Sequence, residues 1–305
     1  MLITRLPIGL NSLNARIIPL FILVMFMTGC RHRETGETSE TAGRLASELN
    51  EHEFKLELEQ VNPGLRDPTA VIELIRMTGA SFQDNLVNTL DNDPVYLLDS
   101  VLSVMNLGIY TVDIAYMVTY DRDEDVMIHL NKARELAENI GAGHLYDHGM
   151  FRRYQVAGAS EDSLLMILKH AAEELEHDFS QAGLRRIYTL FATGEFIEKL
   201  HLTAQLLIQA DHDNDERTLS LMLLLFHQEN SLRQLVSLLN QVRRKEEGER
   251  FMAMLSDLQL IFMELNTPDE LAGMRTSNIA KNQIFKDLVV QIERIRNQII
   301  DPVYP

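Results

Sequence analysis

The chain has no tryptophan and only one cysteine, and the shortage of cysteine limits its chemistry. A single thiol, on Cys30, cannot form an intrachain disulfide, and once modified it leaves no thiolate for a metal site or a nucleophile. Glycine and proline are also sparse, with 15 and 8 residues among 305. Both residues interrupt helices, so their scarcity beside many Leu, Met, Glu and Gln residues predicts long helices.

Positive charge is scarce as well. The chain has 28 Lys and Arg residues against 45 Asp and Glu residues, which gives a formal charge of −17. Removing residues 1–29 takes away Arg5 and Arg16 and no acid, so the charge becomes −19. Phosphate binding requires clustered Lys and Arg. The composition therefore predicts that nucleic acid is not a partner.

The N-terminus has the layout of a secretory signal. Arg5 and Arg16 precede an apolar run from Ile17 to Met27, and small residues then lead to Cys30. The run is about half the ~20 residues that a bilayer-spanning helix needs. Its end resembles a bacterial lipobox, in which the cysteine sulfur receives diacylglycerol and the preceding peptide bond is cut. We predict a lipoprotein signal peptide over 1–29 and a lipid on Cys30, with a plain signal or anchor as the alternative.

The residues after the cysteine indicate the location and the domain organisation. Arg31 is not the aspartate that holds some lipoproteins at the inner membrane, so we predict the outer membrane of the cell envelope and leave the periplasmic or surface face open. Residues 30–43 are polar and rich in Thr, Glu and Gly, which is typical of a flexible tether. Residues 44–305 are long enough for one all-helical domain.

Helix start signals recur along this domain. Asp67-Pro68 and Asp93-Pro94 each place a capping residue before a proline at the first helical position. The segment 45–61 fits a helix or a strand, and a helix is favoured because nothing else offers a strand partner. We predict an all-α, bundle-like domain of about ten helices, centred on the very apolar segment 94–120. The other predicted helices cover 68–78, 82–90, 124–139, 161–179, 184–210, 216–243, 249–265 and 277–300.

Two glycines lie in the middle of long apolar helices. Gly108 and Gly194 each cost about 1 kcal/mol relative to alanine in a helix interior. A close approach of two helix backbones offsets such a cost, so we predict close packing at both glycines. Both helices are followed by an aspartate-rich turn and another helix. This pattern raises the hypothesis of a weak internal duplication.

The central helix also carries an LGxYxxDxxY pattern, which consists of Leu107, Gly108, Tyr110, Asp113 and Tyr116. Together with the later helix that contains Gly194, this pattern resembles an uncharacterised family of all-helical bacterial lipoproteins over about residues 68–205. Thr193 stands where that family tends to have a second glycine. The resemblance implies a helical fold and an envelope location, and it implies no activity.

Polar residues on the two glycine-bearing helices form the candidate site. A carboxylate on so apolar a helix as that of Asp113 must be paired, hydrogen-bonded or facing a cavity. One interpretation is therefore a ligand pocket, and the other is a buried polar network that sets the helix register. The candidate pocket residues are Asn106, Tyr110, Asp113 and Tyr116 from the central helix, with Glu195 and Glu198 from the second.

Two Glu-x-x-His pairs have the spacing found in di-iron bundles. They are Glu174-His177 and Glu198-His201. If the two helices form a hairpin around Gly183, the two histidines lie on the order of 18 Å apart along the axis. One metal ion cannot bridge that distance. We therefore predict two independent surface pairs and no metal.

Two acidic segments and one histidine pair have structural interpretations. The segments 121–125 and 211–215 begin like calcium loops but lack glycine at the sixth position and glutamate at the twelfth. We predict that their acids cap the following helices. His144 and His148 are expected in a solvated loop.

No catalytic motif stands out in the chain. It has no G-x-S-x-G elbow and no Gly-rich phosphate loop. We predict a lipid-anchored binding or interaction module without a cofactor, whose protein or small-molecule ligand is open. One alternative is a hydrolase or metal-dependent enzyme with a site around Asp113 and Glu198. Another is a structural subunit of an envelope assembly.

Overall fold

A computed structural model describes residues 67–146, 161–181, 185–210, 215–242, 246–265 and 276–301. All regular structure in these ranges is helical, with nine α-helices and three short 3₁₀ helices, which confirms the predicted all-α fold. Every described residue belongs to one unit, residues 49–305. The predicted signal peptide, Cys30, the tether and the segment 45–61 lie outside the described residues.

The helices are numbered here in chain order. The α-helices are α1 (Ala70–Met77), α2 (Asp93–Tyr96), α3 (Ser100–Thr119), α4 (Asp123–Asn139), α5 (Glu161–Gln181), α6 (Arg185–Gln209), α7 (Asp215–Val242), α8 (Glu246–Leu265) and α9 (Gln283–Ile300). The 3₁₀ helices are Asp84–Leu86, Gly143–Tyr146 and Thr276–Lys281.

Helices α3 and α6 form the centre of the domain. They make the most extensive contact between any two described elements, and both are buried on nearly every side. Helix α4 packs along α3, while α7 and α9 pack on α6, and α8 lies against both α7 and α9. Such all-round burial is what a helix with apolar residues on every face requires.

One described helix, α3, is long and apolar enough to span a bilayer by length and composition. Within the domain, 94% of the most apolar 18-residue stretch of this helix is buried. That burial is what a central core helix shows.

The two glycines lie where α3 and α6 touch. A Cβ atom on Gly108 would overlap the backbone oxygen of Phe191 and stand 2.9 Å from the backbone nitrogen of Glu195. A Cβ atom on Gly194 would overlap the backbone oxygen of Met105. Each glycine therefore admits the backbone of the other helix, at a separation that no side chain allows. The hypothesis of an internal duplication stays a prediction.

The predicted continuous helix over 94–120 was wrong, because the helix is interrupted between α2 and α3. The carboxylate of Asp99 accepts hydrogen bonds from the backbone N–H groups of Val101 and Leu102, at 2.7 and 3.3 Å. It thereby caps α3 and starts a new helix. The Ser103 hydroxyl donates to the Tyr96 carbonyl at 2.7 Å and holds the two helices together across the break.

The predicted helix over 82–90 was also wrong, since only the single turn Asp84–Leu86 forms. Side chains of α3 accept hydrogen bonds from backbone N–H groups of this segment. The backbone N–H of Gln83 donates to the Tyr116 hydroxyl at 3.0 Å, and that of Asn88 donates to the Asp113 carboxylate at 3.1 Å. Tertiary hydrogen bonds therefore replace local ones in this segment, residues 82–90.

The remaining helix boundaries agree with the prediction to within about three residues, with one exception at the C-terminus. There the predicted helix 277–300 divides into a 3₁₀ helix and α9. The Asn282 side chain accepts a hydrogen bond from the Phe285 backbone N–H at 2.9 Å and so caps α9.

We expect alanine at either central glycine to be strongly destabilising. Gly108→Ala and Gly194→Ala each add a methyl group against backbone atoms that cannot rotate away, and the expected loss is about 2–3 kcal/mol of unfolding free energy. Urea unfolding followed by far-UV circular dichroism measures the loss. The control is Gly143→Ala, whose methyl group would meet the movable Cγ of Glu138 at 2.7 Å. Equal losses in all three variants would contradict the close-packing argument.

Candidate functional site

The six predicted pocket residues are all buried, each with at most 1% of its surface exposed. Three of those on α3 contact the irregular segment 82–90. Tyr116 and Asp113 accept its backbone N–H groups, and the Tyr110 hydroxyl lies 3.4 Å from the carbonyl of Thr89. Asn106 instead donates to the carbonyl of Ile299 on α9, at 3.0 Å. This polar face of α3 therefore positions other parts of the chain.

A buried ion pair joins α6 to α9. Arg296 donates from Nε to one oxygen of Glu198 at 2.7 Å and from Nη2 to the other at 2.9 Å. Glu198 is fully buried, and Arg296 is 7% exposed. Burial alone would lower the pKa of Arg296, but the Glu198 carboxylate outweighs it and raises that pKa above its ordinary value. The two-pronged geometry is the arrangement that makes a buried pair tolerable.

Asp113 completes a cluster with this pair. Burial first, and the neighbouring Glu198 carboxylate second, raise the pKa of Asp113 well above its usual range, although Arg296 and the Asn88 N–H oppose them. The Glu198 carboxylate therefore lies close enough to Asp113 for its charge to act on that carboxyl. The buried Oδ1 of Asp113 has no hydrogen-bond partner among the described residues. Burial and a neighbouring like charge both favour the neutral, protonated form of the Asp113 carboxyl.

A second buried carboxyl, Glu195, lies one turn before Glu198 on α6. Burial raises the pKa of Glu195 to about 7, with a smaller contribution from the charge of Asp67, while Lys199 lowers it. Its Oε1 has no hydrogen-bond partner in the described part of the chain. The hydroxyl of Tyr146 is held nearby by Thr111 at 2.8 Å, and burial together with Glu195 raises the pKa of Tyr146.

Two lysines bind Asp67, just before α1. Lys199 donates to the backbone carbonyl of Asp67 at 2.9 Å, and Lys169 from α5 pairs with the Asp67 carboxylate at 2.7 Å. The other oxygen of that carboxylate caps α1 by accepting from the N–H groups of Thr69 and Ala70. Burial raises the pKa of Asp67, but the bonds from Lys169 and Thr69 outweigh it, so the pKa lies below its ordinary value.

The structure corrects the prediction that Glu198-His201 is a surface pair, because both residues are buried in α6. They also have different partners. His201 contacts Glu293 on α9 through Nδ1 at 2.6 Å, and Gln205 donates to the same glutamate oxygen at 2.9 Å. Burial raises the pKa of Glu293, but His201, Gln205 and Arg296 together outweigh it and lower that pKa.

The first Glu-x-x-His pair is exposed at His177 and half-buried at Glu174. Glu174 lies 3.9 Å from His170, four residues earlier on the same helix. In the ranges that the structure describes, no group of three or more His, Cys, Asp or Glu side chains is placed to hold a metal ion.

The aspartate-rich turn at 121–125 departs from the predicted capping role. Asp121 takes a left-handed backbone conformation, with φ 57°, and no side chain caps α4. The N-cap position belongs to Arg122, which instead bridges to Asp84 at 3.0 Å and to Asp125 at 3.2 Å. Most of the second segment, 211–214, and His148 lie outside the described residues. His144 contacts Asp178 at 3.1 Å on the surface.

Sequence reasoning missed Arg296, Glu293 and Asn88 as partners of the candidate site. The signal for Arg296 and Glu293 was weak, because both lie in an amphipathic helix where charged residues normally face water. The rule that a buried carboxylate must be paired, hydrogen-bonded or facing a cavity was applied to Asp113, and it does not say which residue is the partner.

No protein-family model, curated protein or solved structure matches this chain. The resemblance to helical lipoproteins and the pocket interpretation therefore stay predictions. Any functional interpretation rests on the geometry of the chain itself.

We expect Arg296→Met to be more damaging than the loss of both ion-pair partners. The single change leaves Glu198 as an uncompensated buried charge, with an expected loss of about 3–5 kcal/mol. Adding Glu198→Gln removes that charge, so the double variant should regain at least ~1 kcal/mol. Urea unfolding of the two single variants and the double variant measures this coupling. Simple addition of the two single losses would argue against a charge-compensating pair.

The pKa of Glu195 predicts a pH-dependent stability. The folded protein keeps the proton up to about pH 7, whereas the ordinary value is 4.5. The stability that the protonated Glu195 carboxyl contributes is therefore complete below pH 4.5 and is lost as the pH rises through 7. Relative to Glu195→Gln, the wild type should lose roughly 3 kcal/mol of unfolding free energy between pH 4.5 and 8.

Urea unfolding at a series of pH values tests this expectation. The control is Glu124→Gln, which removes an exposed carboxyl at the start of α4 and should follow the wild-type profile. A Glu195→Gln profile parallel to that of the wild type would show that Glu195 does not titrate in this range.

Proposed function

We propose that this chain is a lipoprotein of the cell envelope, held at the outer membrane by a lipid on Cys30, and that its helical domain is a binding or interaction module. Support for the location comes from the apolar run from Ile17 to Met27, its lipobox-like end and the polar residues 30–43. The formal charge of −17 makes a nucleic-acid partner unfavourable.

The observation that carries the interaction role is the way the buried ionisable groups are used. Arg296 on α9 pairs with Glu198 on α6, and both of their charges act on Asp113 on α3. His201 is engaged by Glu293, and Lys199 by the backbone of Asp67. These groups hold helices together, so the surface of the domain is the part that remains for recognising a partner.

The alternative is a hydrolase centred on Asp113 and Glu198, and one observation favours it. Two neighbouring buried carboxyls, one of them with a raised pKa, resemble the acid pairs used in general acid–base catalysis. A water-soluble carbodiimide separates the two roles. Under the interaction role, Asp113 and Glu198 stay unlabelled until the protein unfolds. Labelling as fast as that of the exposed Glu124 favours the enzyme.

The location is tested on full-length protein isolated from membranes. Intact-mass spectrometry should find a chain that begins at Cys30 and carries diacylglycerol with a further acyl chain. The matched variant Cys30→Ser should keep residues 1–29 and gain no lipid mass. A wild-type protein that retains residues 1–29 and an unmodified thiol would overturn the proposed anchor.

The interaction role is tested by photo-crosslinking in cells. A photoreactive amino acid replaces Met166, Leu260 or Val290, which are 71%, 64% and 66% exposed on three different helices, or Leu98 between α2 and α3. At least one of these positions should give a reproducible adduct with another envelope protein. Failure at all four positions, with the protein correctly folded and located, would count against an interaction module.

A further inference from the structure

The break between α2 and α3 exposes a group of large apolar side chains. Val95, Leu97 and Leu98, called here the Leu98 surface, are 39%, 37% and 87% exposed. Leu98 is the most exposed large apolar residue in the described part of the chain. Fully burying one leucine side chain is worth about 1.5–3 kcal/mol, so covering this surface with a partner would stabilise the complex.

The Leu98 surface is held in place by hydrogen bonds. Its backbone is anchored where the Leu97 carbonyl accepts from the Asn139 side chain at 3.2 Å. Between its members lies Tyr96, which is fully buried and donates its hydroxyl to the Ile300 carbonyl at 2.6 Å. An apolar group that is already ordered loses little conformational entropy on binding. The backbone of the Leu98 surface is therefore preorganised for a partner.

The segment that carries the Leu98 surface has acidic residues and no basic ones. No Lys, Arg or His occurs in residues 77–121. Asp91 and Asp99 are exposed on either side of the Leu98 surface, although part of the charge of Asp99 offsets the positive end of α3. Helices α4 and α9 both end here, at Asn139 and Ile300, and a helix C-terminus carries a partial negative charge.

Building on the interaction role proposed above, we propose that the Leu98 surface docks into an apolar pocket of another protein whose rim carries lysine or arginine. Positive rim groups complement Asp91, Asp99 and the two helix ends. A second copy of this chain would bring like charges together. An anionic bilayer would be repelled for the same reason.

The first step of the test compares crosslinking positions in the full chain. A photoreactive residue at position 98 should give a protein adduct that positions 166, 260 and 290 do not give. The adduct is identified by mass spectrometry, and its crosslinked residue should lie in an apolar pocket flanked by Lys or Arg.

The second step measures the affinity of the identified protein, once purified, for the full chain. We expect Leu98→Asp to weaken binding about tenfold or more, as the loss of a central apolar anchor does. The matched change Val290→Asp, at an exposed apolar residue of α9, should leave the affinity within about twofold. Asp91→Asn with Asp99→Asn should weaken binding and reduce its salt dependence, while the new amide at position 99 still caps α3.

Three outcomes would overturn the docking proposal. The first is that position 98 gives no adduct, and the second is that its adduct is with lipid or with a second copy of the chain. The third is an affinity that changes neither on Leu98→Asp nor with salt. If position 98 is silent but another position gives an adduct, the Leu98 surface is wrong and the interaction role stands. If no position reacts, both proposals fail.

Discussion

The contact between the backbones of α3 and α6 is the constraint on which the rest of the domain depends. Gly108 and Gly194 let two helices that are buried on nearly every side approach without side chains between them. That approach places Asp113, Glu195 and Glu198 in the interior, where an unpaired charge is very unfavourable. The burial of these carboxyls therefore follows from the way the glycines pack.

The domain compensates these carboxyls in different ways, and each way positions another element. Asp113 has a raised pKa and accepts a hydrogen bond from the backbone N–H of Asn88, which holds the segment 82–90 in an irregular form. Glu198 recruits Arg296, which ties α9 to α6. A buried ion pair adds little net stability compared with apolar packing, so its role here is to specify where α9 sits.

How far prediction succeeded depends on whether the signal was local. Helices α4 to α8 follow from apolar periodicity and turn residues, which act over a few positions. The break before α3 was missed although Asp99 is an ordinary capping residue, because the apolar run on both sides of it looked continuous. The helix predicted over 82–90 failed because Tyr116 and Asp113, distant in sequence, take its backbone hydrogen bonds.

Composition, apolar periodicity and the burial of charge are properties of single segments, so they predict the fold class, the central place of α3 and the need for a partner at Asp113. Which groups meet is a property of the folded chain as a whole. Arg296 reaches Glu198 across 98 positions, and the Tyr96 hydroxyl reaches the Ile300 carbonyl across 204. Pairings at such separations depend on how helices pack, and no local pattern of residues encodes them.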